Sequence, residues 1–163
     1  MQEFFSGVKF EREALFGHSF GGLFALHALF RGVGEGVWDV VVASSPSIWF
    51  GGREVLKRAT EWAGKGGVGD GHEGKKTRLI LSSGALEQNL ARRTGESEEE
   101  FCKRVEWWAP LKMFDNAVEL EEVLRGCERL GDVGLTCFED EDHSSVMGVA
   151  VGRAVSAVFG DGN

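Results

Sequence analysis

Residues 14–30 read ALFGHSFGGLFALHALF, and their order decides the fold. A short apolar run, Ala14-Leu15-Phe16-Gly17, stops at a cluster of small residues between His18 and Gly22. That pattern reads as a buried strand entering a tight turn. From Gly21 to Phe30 the chain is apolar nearly all round, as a buried helix requires, with Gly32 and Gly34 placed to end it. Gly17-His18-Ser19-Phe20-Gly21 matches G-x-S-x-G, a sharp strand-to-helix turn that exposes a nucleophilic serine. The pentapeptide alone is weak, because 11 serines in a glycine-rich chain give roughly 0.25 chance matches. The strand before it and the helix after it make Ser19 a nucleophile candidate rather than an ordinary turn residue.

The same alternation continues to the C-terminus. A Val-rich run from Trp38 to Ala43 predicts a strand buried on both faces, followed by the loop Ser44-Ser45-Pro46-Ser47. Val55, Leu56, Ala59 and Trp62 recur at helical spacing within residues 53–62, and residues 64–74 hold six glycines in a surface loop. A third strand is expected over Arg78 to Ser82, ending in Ser83-Gly84. A helix follows from about Phe114 to Arg129, then a strand from Leu135 to Phe138 and an apolar helix from Val146 to Phe159. Four strands alternating with helices predict an α/β fold with a mostly parallel sheet, in one domain covering residues 1–163.

Composition narrows the function. Of 163 residues 42% are hydrophobic, and 18 basic side chains face 26 acidic ones for a net charge of -8. That balance excludes disorder and argues against a surface that tracks nucleic-acid phosphates. Cys102, Cys127 and Cys137 are odd in number and form no C-x-x-C pair, which argues against a disulfide framework or a zinc site. No stretch of about 18 apolar residues and no signal-like N-terminus occurs, so a cytoplasmic chain without a membrane partner is the expectation.

A nucleophilic serine needs a base. His18 lies in the turn, His27 in the buried helix and His72 in the glycine loop, whereas His143 follows the last strand, at the edge where parallel sheets gather functional loops. His143 is therefore the expected base. His18 and His27 read first as packed residues, and the place of His18 beside the nucleophile also makes it a substrate-binding candidate. The acid is sought after the third strand, where Glu87 is the best carboxylate to hold the imidazole, with Asp115 and Asp142 as alternates. Asp115 is also the expected N-cap of the Phe114 helix. The Phe20 N–H, one residue past the nucleophile, is the expected oxyanion donor. The acidic run Glu98-Glu99-Glu100 with Trp107-Trp108 reads as a solvated helix with a packed aromatic edge, or as a lid over the site.

Five blocks in order, GHSFGGLFALHALF, VVASSPSIWF, LILSSGALEQN, FDNAVELEEVL and DHSSVMGVAVGRAV, resemble the esterase D and siderophore-esterase branch of the α/β-hydrolases over residues 10–160. The resemblance implies the C-terminal half of an α/β-hydrolase domain and hydrolysis of carboxylic esters. In the siderophore branch these are ester-linked iron chelates. It matches Ser19, His143 and Glu87 to nucleophile, base and acid, although some members are described as working with a Ser-His dyad, and it matches Ser45-Pro46-Ser47 and Trp49 to a loop lining the pocket. No cofactor is implied, and iron enters only as part of a bound substrate. The net charge favours a neutral ferric hydroxamate over an anionic catecholate chelate. Family members carry a long segment ahead of the serine turn that supplies the first strands and a second oxyanion donor, and this chain is expected to lack it. Its absence implies an exposed edge at Ala14 to Gly17 through which the chain associates. The competing expectation is a non-catalytic remnant that serves as a binding or partner-dependent module.

Overall fold

The computed structural model describes residues 11–33, 37–65 and 76–160. Most of the glycine loop, with His72, and Gly34 lie outside these residues. Strands Ala14–His18 (β1), Val40–Ser44 (β2), Thr77–Gly84 (β3) and Leu130–Phe138 (β4) form a sheet in the order β1-β2-β3-β4, every pairing parallel. The helices are Phe20–Phe30 (α1), Phe50–Ala63 (α2), Glu98–Trp108 (α3), Met113–Leu124 (α4) and Val146–Phe159 (α5), with single 3-10 turns at Ala85–Glu87 and Ala109–Leu111.

Strand order follows chain order, so crossovers of one hand lay successive helices on the same face of the sheet. Leu26 and Leu29 of α1, Val55 and Trp62 of α2, and Leu120 and Leu124 of α4 pack there on Val41, Ala43, Leu79 and Leu81. The opposite face carries α5, whose Ala154 and Val158 cover Val40 and Val42. All five residues of β2 are buried, which is why its sequence shows no alternation.

Three elements differ from the sequence expectation. β4 begins at Leu130 rather than Leu135, because Gly131, Asp132 and Gly134 break the apolar run while the backbone still pairs with β3. α4 stops at Leu124 instead of Arg129, since Gly126 takes φ +76° and turns the chain away. α2 reaches back to Phe50 through Gly51, Gly52 and Arg53, all at φ between 61° and 66°, so its regular periodicity becomes legible only after that left-handed turn. Asp115 is not the N-cap of α4. That position belongs to Lys112 at φ 48°, and Asp115 lies in the first turn, where its carboxylate accepts from Gln88 Nε2 at 2.8 Å.

The α3 helix opens with a capping box in which Ser97 Oγ accepts from the Glu100 N–H and Glu100 accepts from the Ser97 N–H. None of its residues is buried.

Leu26 has no exposed surface and joins α1 to the main core. Leu26→Ala is expected to remove about 2–5 kcal/mol of stability. Glu99→Ala, on the outer surface of α3, should change stability by less than about 0.5 kcal/mol. Urea unfolding followed by circular dichroism measures both.

Candidate active site

The turn at Ser19 depends on close backbone approach. A β-carbon on Gly17 would lie 2.0 Å from the Gly21 carbonyl oxygen, so only glycine fits at the start of the pentapeptide. Gly22 is also tight, 3.1 Å from the Ser44 carbonyl, whereas Gly21 faces open space. Ser19 sits at φ 57° and ψ -119°, held by its N–H donating to Ser44 O at 2.9 Å and its carbonyl accepting from Leu23 and Ser47. The positive φ turns Oγ out over the C-terminal edge of the sheet. Phe20 is the first residue of α1, so its N–H belongs to the set that a helix leaves without intrahelical partners.

The loops after β2, β3 and β4 meet beside this turn. Gly84 permits the approach of the last two, since a β-carbon there would lie 2.2 Å from the Glu141 carbonyl. Leu86 N–H then donates to that carbonyl at 3.1 Å, which brings His143 over Glu87. His143 Nε2 lies 3.0 Å from Ser19 Oγ, and His143 Nδ1 lies 2.6 Å from Glu87 Oε2. The other carboxylate oxygen, Oε1, accepts from Gly84 N–H at 2.6 Å, Ser45 Oγ at 2.5 Å and Ser83 Oγ at 3.2 Å. Glu87 has no exposed side-chain surface, while His143 retains 21%. Burial pushes the Glu87 carboxyl up, but hydrogen bonds from His143, Ser45 and the Gly84 N–H outweigh it and hold the group below its usual range. In this order of serine hydroxyl, imidazole and ionised carboxylate, the imidazole is placed to take the hydroxyl proton while the carboxylate orients the ring.

The remaining candidates divide clearly. Ser47 Oγ lies 3.4 Å from Ser19 Oγ. Trp49 packs edge-on to Phe20, and Ser47, Trp49 and Phe20 all line a cavity of about 90 Å³ beside Ser19 and His143. His18 sits outside that lining; its Nδ1 is 3.2 Å from Ser44 Oγ and its ring centroid 4.8 Å from that of His143. Burial lowers the proton affinity of His18, and the charge of His143 lowers it further. Asp142 turns away from the imidazole to accept from Ser144 and Ser145 N–H and to pair with Arg93.

The far wall of the cavity contains Trp107, Trp108, Leu111 and Met113, of which sequence reasoning marked only the tryptophans, as an aromatic edge. Trp108 packs on His143 with centroids 5.0 Å apart, so α3 reaches the site through its last turn. Arg104 pairs with Glu96 at 2.7 Å and holds that carboxyl down at about 2. Together with Arg93–Asp142, this pair connects the α3 region to the His143 loop.

The parallel sheet flanked by helices is the fold of the α/β-hydrolases, and the chain is a relative of their siderophore-esterase branch. It is 39% identical over 161 residues to the siderophore triacetylfusarinine C esterase of Aspergillus fumigatus, covering 99% of this chain and 53% of that protein. It is 40% identical over 152 residues to the siderophore enterobactin esterase of Emericella nidulans, covering 93% of this chain and 48% of that protein. The solved structure of the siderophore hydrolase EstB from Aspergillus nidulans superposes with a TM-score of 0.84 at 40% identity, over 96% of this chain and 52% of that one. The chain thus spans about half the length of these relatives. No family model matches it.

Because the folded-state carboxyl of Glu87 is depressed below 4.5, the stability it contributes is present above that pH and is lost as pH falls through the lower folded value. Wild type is expected to exceed Glu87→Gln by about 1–3 kcal/mol at neutral pH, with the gap narrowing below pH 4.5. Urea titrations of both proteins across that range measure it.

Proposed function

We propose that the chain carries the nucleophile, base and acid of a serine esterase acting on carboxylic esters, with ester-linked iron chelates as the substrate class. The observation that carries this reading is the unbroken contact from Ser19 Oγ through His143 to Glu87, at 3.0 and 2.6 Å. In the reaction Ser19 Oγ attacks the ester carbonyl while His143 Nε2 takes its proton. Glu87 stays ionised and steadies the imidazolium. The Phe20 N–H donates to the developing oxyanion. His143 returns the proton to the departing alcohol, and a water activated by the same imidazole attacks the acyl-serine, releasing the acid and restoring Ser19. The aromatic wall of Phe20, Trp49 and Trp108 favours an uncharged acyl group. Iron enters as cargo of the substrate.

A fluorophosphonate probe tests this reading without assuming a substrate. Wild type is expected to be labelled, Ser19→Ala to be silent, and His143→Ala to label more slowly by a factor on the order of 10⁴. A folded wild-type chain that takes no label would overturn the reading of this chain as active by itself.

A second reading, a partner-dependent module, is favoured by a particular surface. Met147, Val151, Val155 and Phe159 recur every fourth residue on α5 and remain 47%, 42%, 51% and 72% exposed. Phe24 on α1 is 65% exposed, and among the described residues β1 pairs on one side only, with β2. The occupant we assign to this surface is a hydrolase half-domain equivalent to the half of the fungal esterases that lies outside the matched residues, whether joined to this chain or separate from it. Adding that half of the Aspergillus fumigatus relative, separately produced, is expected to give a 1:1 complex and to raise labelling about 10²-fold through a second oxyanion donor. Val155→Asp should abolish both effects, and the absence of any complex would overturn this reading.

A further inference from the structure

Ser45 is buried to 1% exposure yet sits at φ 42°, a region that costs a residue with a β-carbon and suits glycine. No turn chemistry calls for serine there, since glycine would adopt the same backbone without strain. Its hydroxyl has a defined destination: Ser45 Oγ donates to Glu87 Oε1 at 2.5 Å. Ser45 N–H donates to the Ser82 carbonyl at 2.7 Å, which pins the loop after β2 to the end of β3 and fixes the direction of the hydroxyl. The neighbouring donor from Ser83 is longer, at 3.2 Å.

We infer that Ser45 is a positioning residue of the relay, held in a strained backbone so that its hydroxyl orients Glu87 against His143. It contacts no reacting atom; it acts through the acid. The groups that bear on this carboxylate are His143 from the loop after β4, Ser83 and Gly84 from β3, and His18 from β1, whose ring lies against His143. A hydrogen bond to a carboxylate spreads its charge and lowers its proton affinity. Loss of the Ser45 donor leaves the carboxylate free to turn in its pocket, so its hydrogen bond with His143 Nδ1 loosens. This inference rests on the esterase reading for its catalytic consequence, while its structural consequence stands apart from activity.

Ser45→Gly and Ser45→Ala separate strain from hydroxyl. Both lose the donor, but only glycine relieves φ 42°. The expected result is a melting temperature for Ser45→Gly above that of Ser45→Ala. The downfield proton resonance of His143 Nδ1–H, which reports its hydrogen bond to Glu87, should move upfield in both variants and should not respond to Ser45→Ala in a Glu87→Gln background. Fluorophosphonate labelling near neutrality is expected to fall about tenfold in both. Ser83→Ala should give a smaller displacement of the resonance. An unchanged resonance in folded Ser45→Gly overturns the inference, and that variant decides the matter even where Ser45→Ala does not fold. If wild type takes no label, the esterase reading fails alone, because the ring resonance and the melting temperatures still test Ser45.

Discussion

A carboxylate removed from water needs a full set of donors, and the C-terminal edge of this sheet is arranged around meeting that need for Glu87. Its four donors come from three separate loops: Ser45 after β2, Ser83 and Gly84 at the end of β3, and His143 after β4. An uncompensated buried charge would cost several kcal/mol, so the three loops are tied to one another by the group they share. The close packing of Gly84 on Glu141 and the strained turn at Ser45 are the local conditions for that convergence. Ser19 is brought to the same place by a different route, from the close contact of Gly17 with Gly21.

Much of this was legible in the residues themselves. A buried strand, a turn of small residues and an apolar helix mark the Ser19 turn, because its steric demand leaves few residue types at Gly17 and Gly22. His143 was legible from its place after a strand in a parallel sheet, where functional loops gather. Glu87 emerged less sharply, since one glutamate in a charged chain carries no local signal of burial. The first half of β4 was hidden because pairing with β3, rather than side-chain pattern, makes Leu130 to Gly134 a strand. Asp115 was misread as a cap because Lys112, in a left-handed conformation, starts α4 without a side-chain cap.

The contact of Trp108 with His143 lay beyond sequence reasoning, which favoured a solvated helix with a packed aromatic edge over a lid. α3 carries exposed charges such as Glu99 and Lys103 along its length, while Trp108 in its last turn packs on His143. The Ser97-x-x-Glu100 spacing was a readable signal for where it starts. With no buried residue of its own, α3 depends on Arg104–Glu96, Arg93–Asp142 and the tryptophan pair for its place.

The agreement between strand order and chain order has a consequence for how the molecule comes into being. Each new strand pairs with the one synthesised just before it, so no pairing waits for a distant part of the sheet, and loop-closure entropy is met in small steps. Emerging from the ribosome, β1, β2 and β3 can assemble in turn as the chain lengthens. The contact from Ser19 to Glu87 closes later: His143 follows all four described strands, and until it arrives Glu87 lacks the donor to its second oxygen. The sheet is therefore a product of stepwise growth, and the hydrogen-bonded contacts at its edge form only once the segment after β4 has joined it.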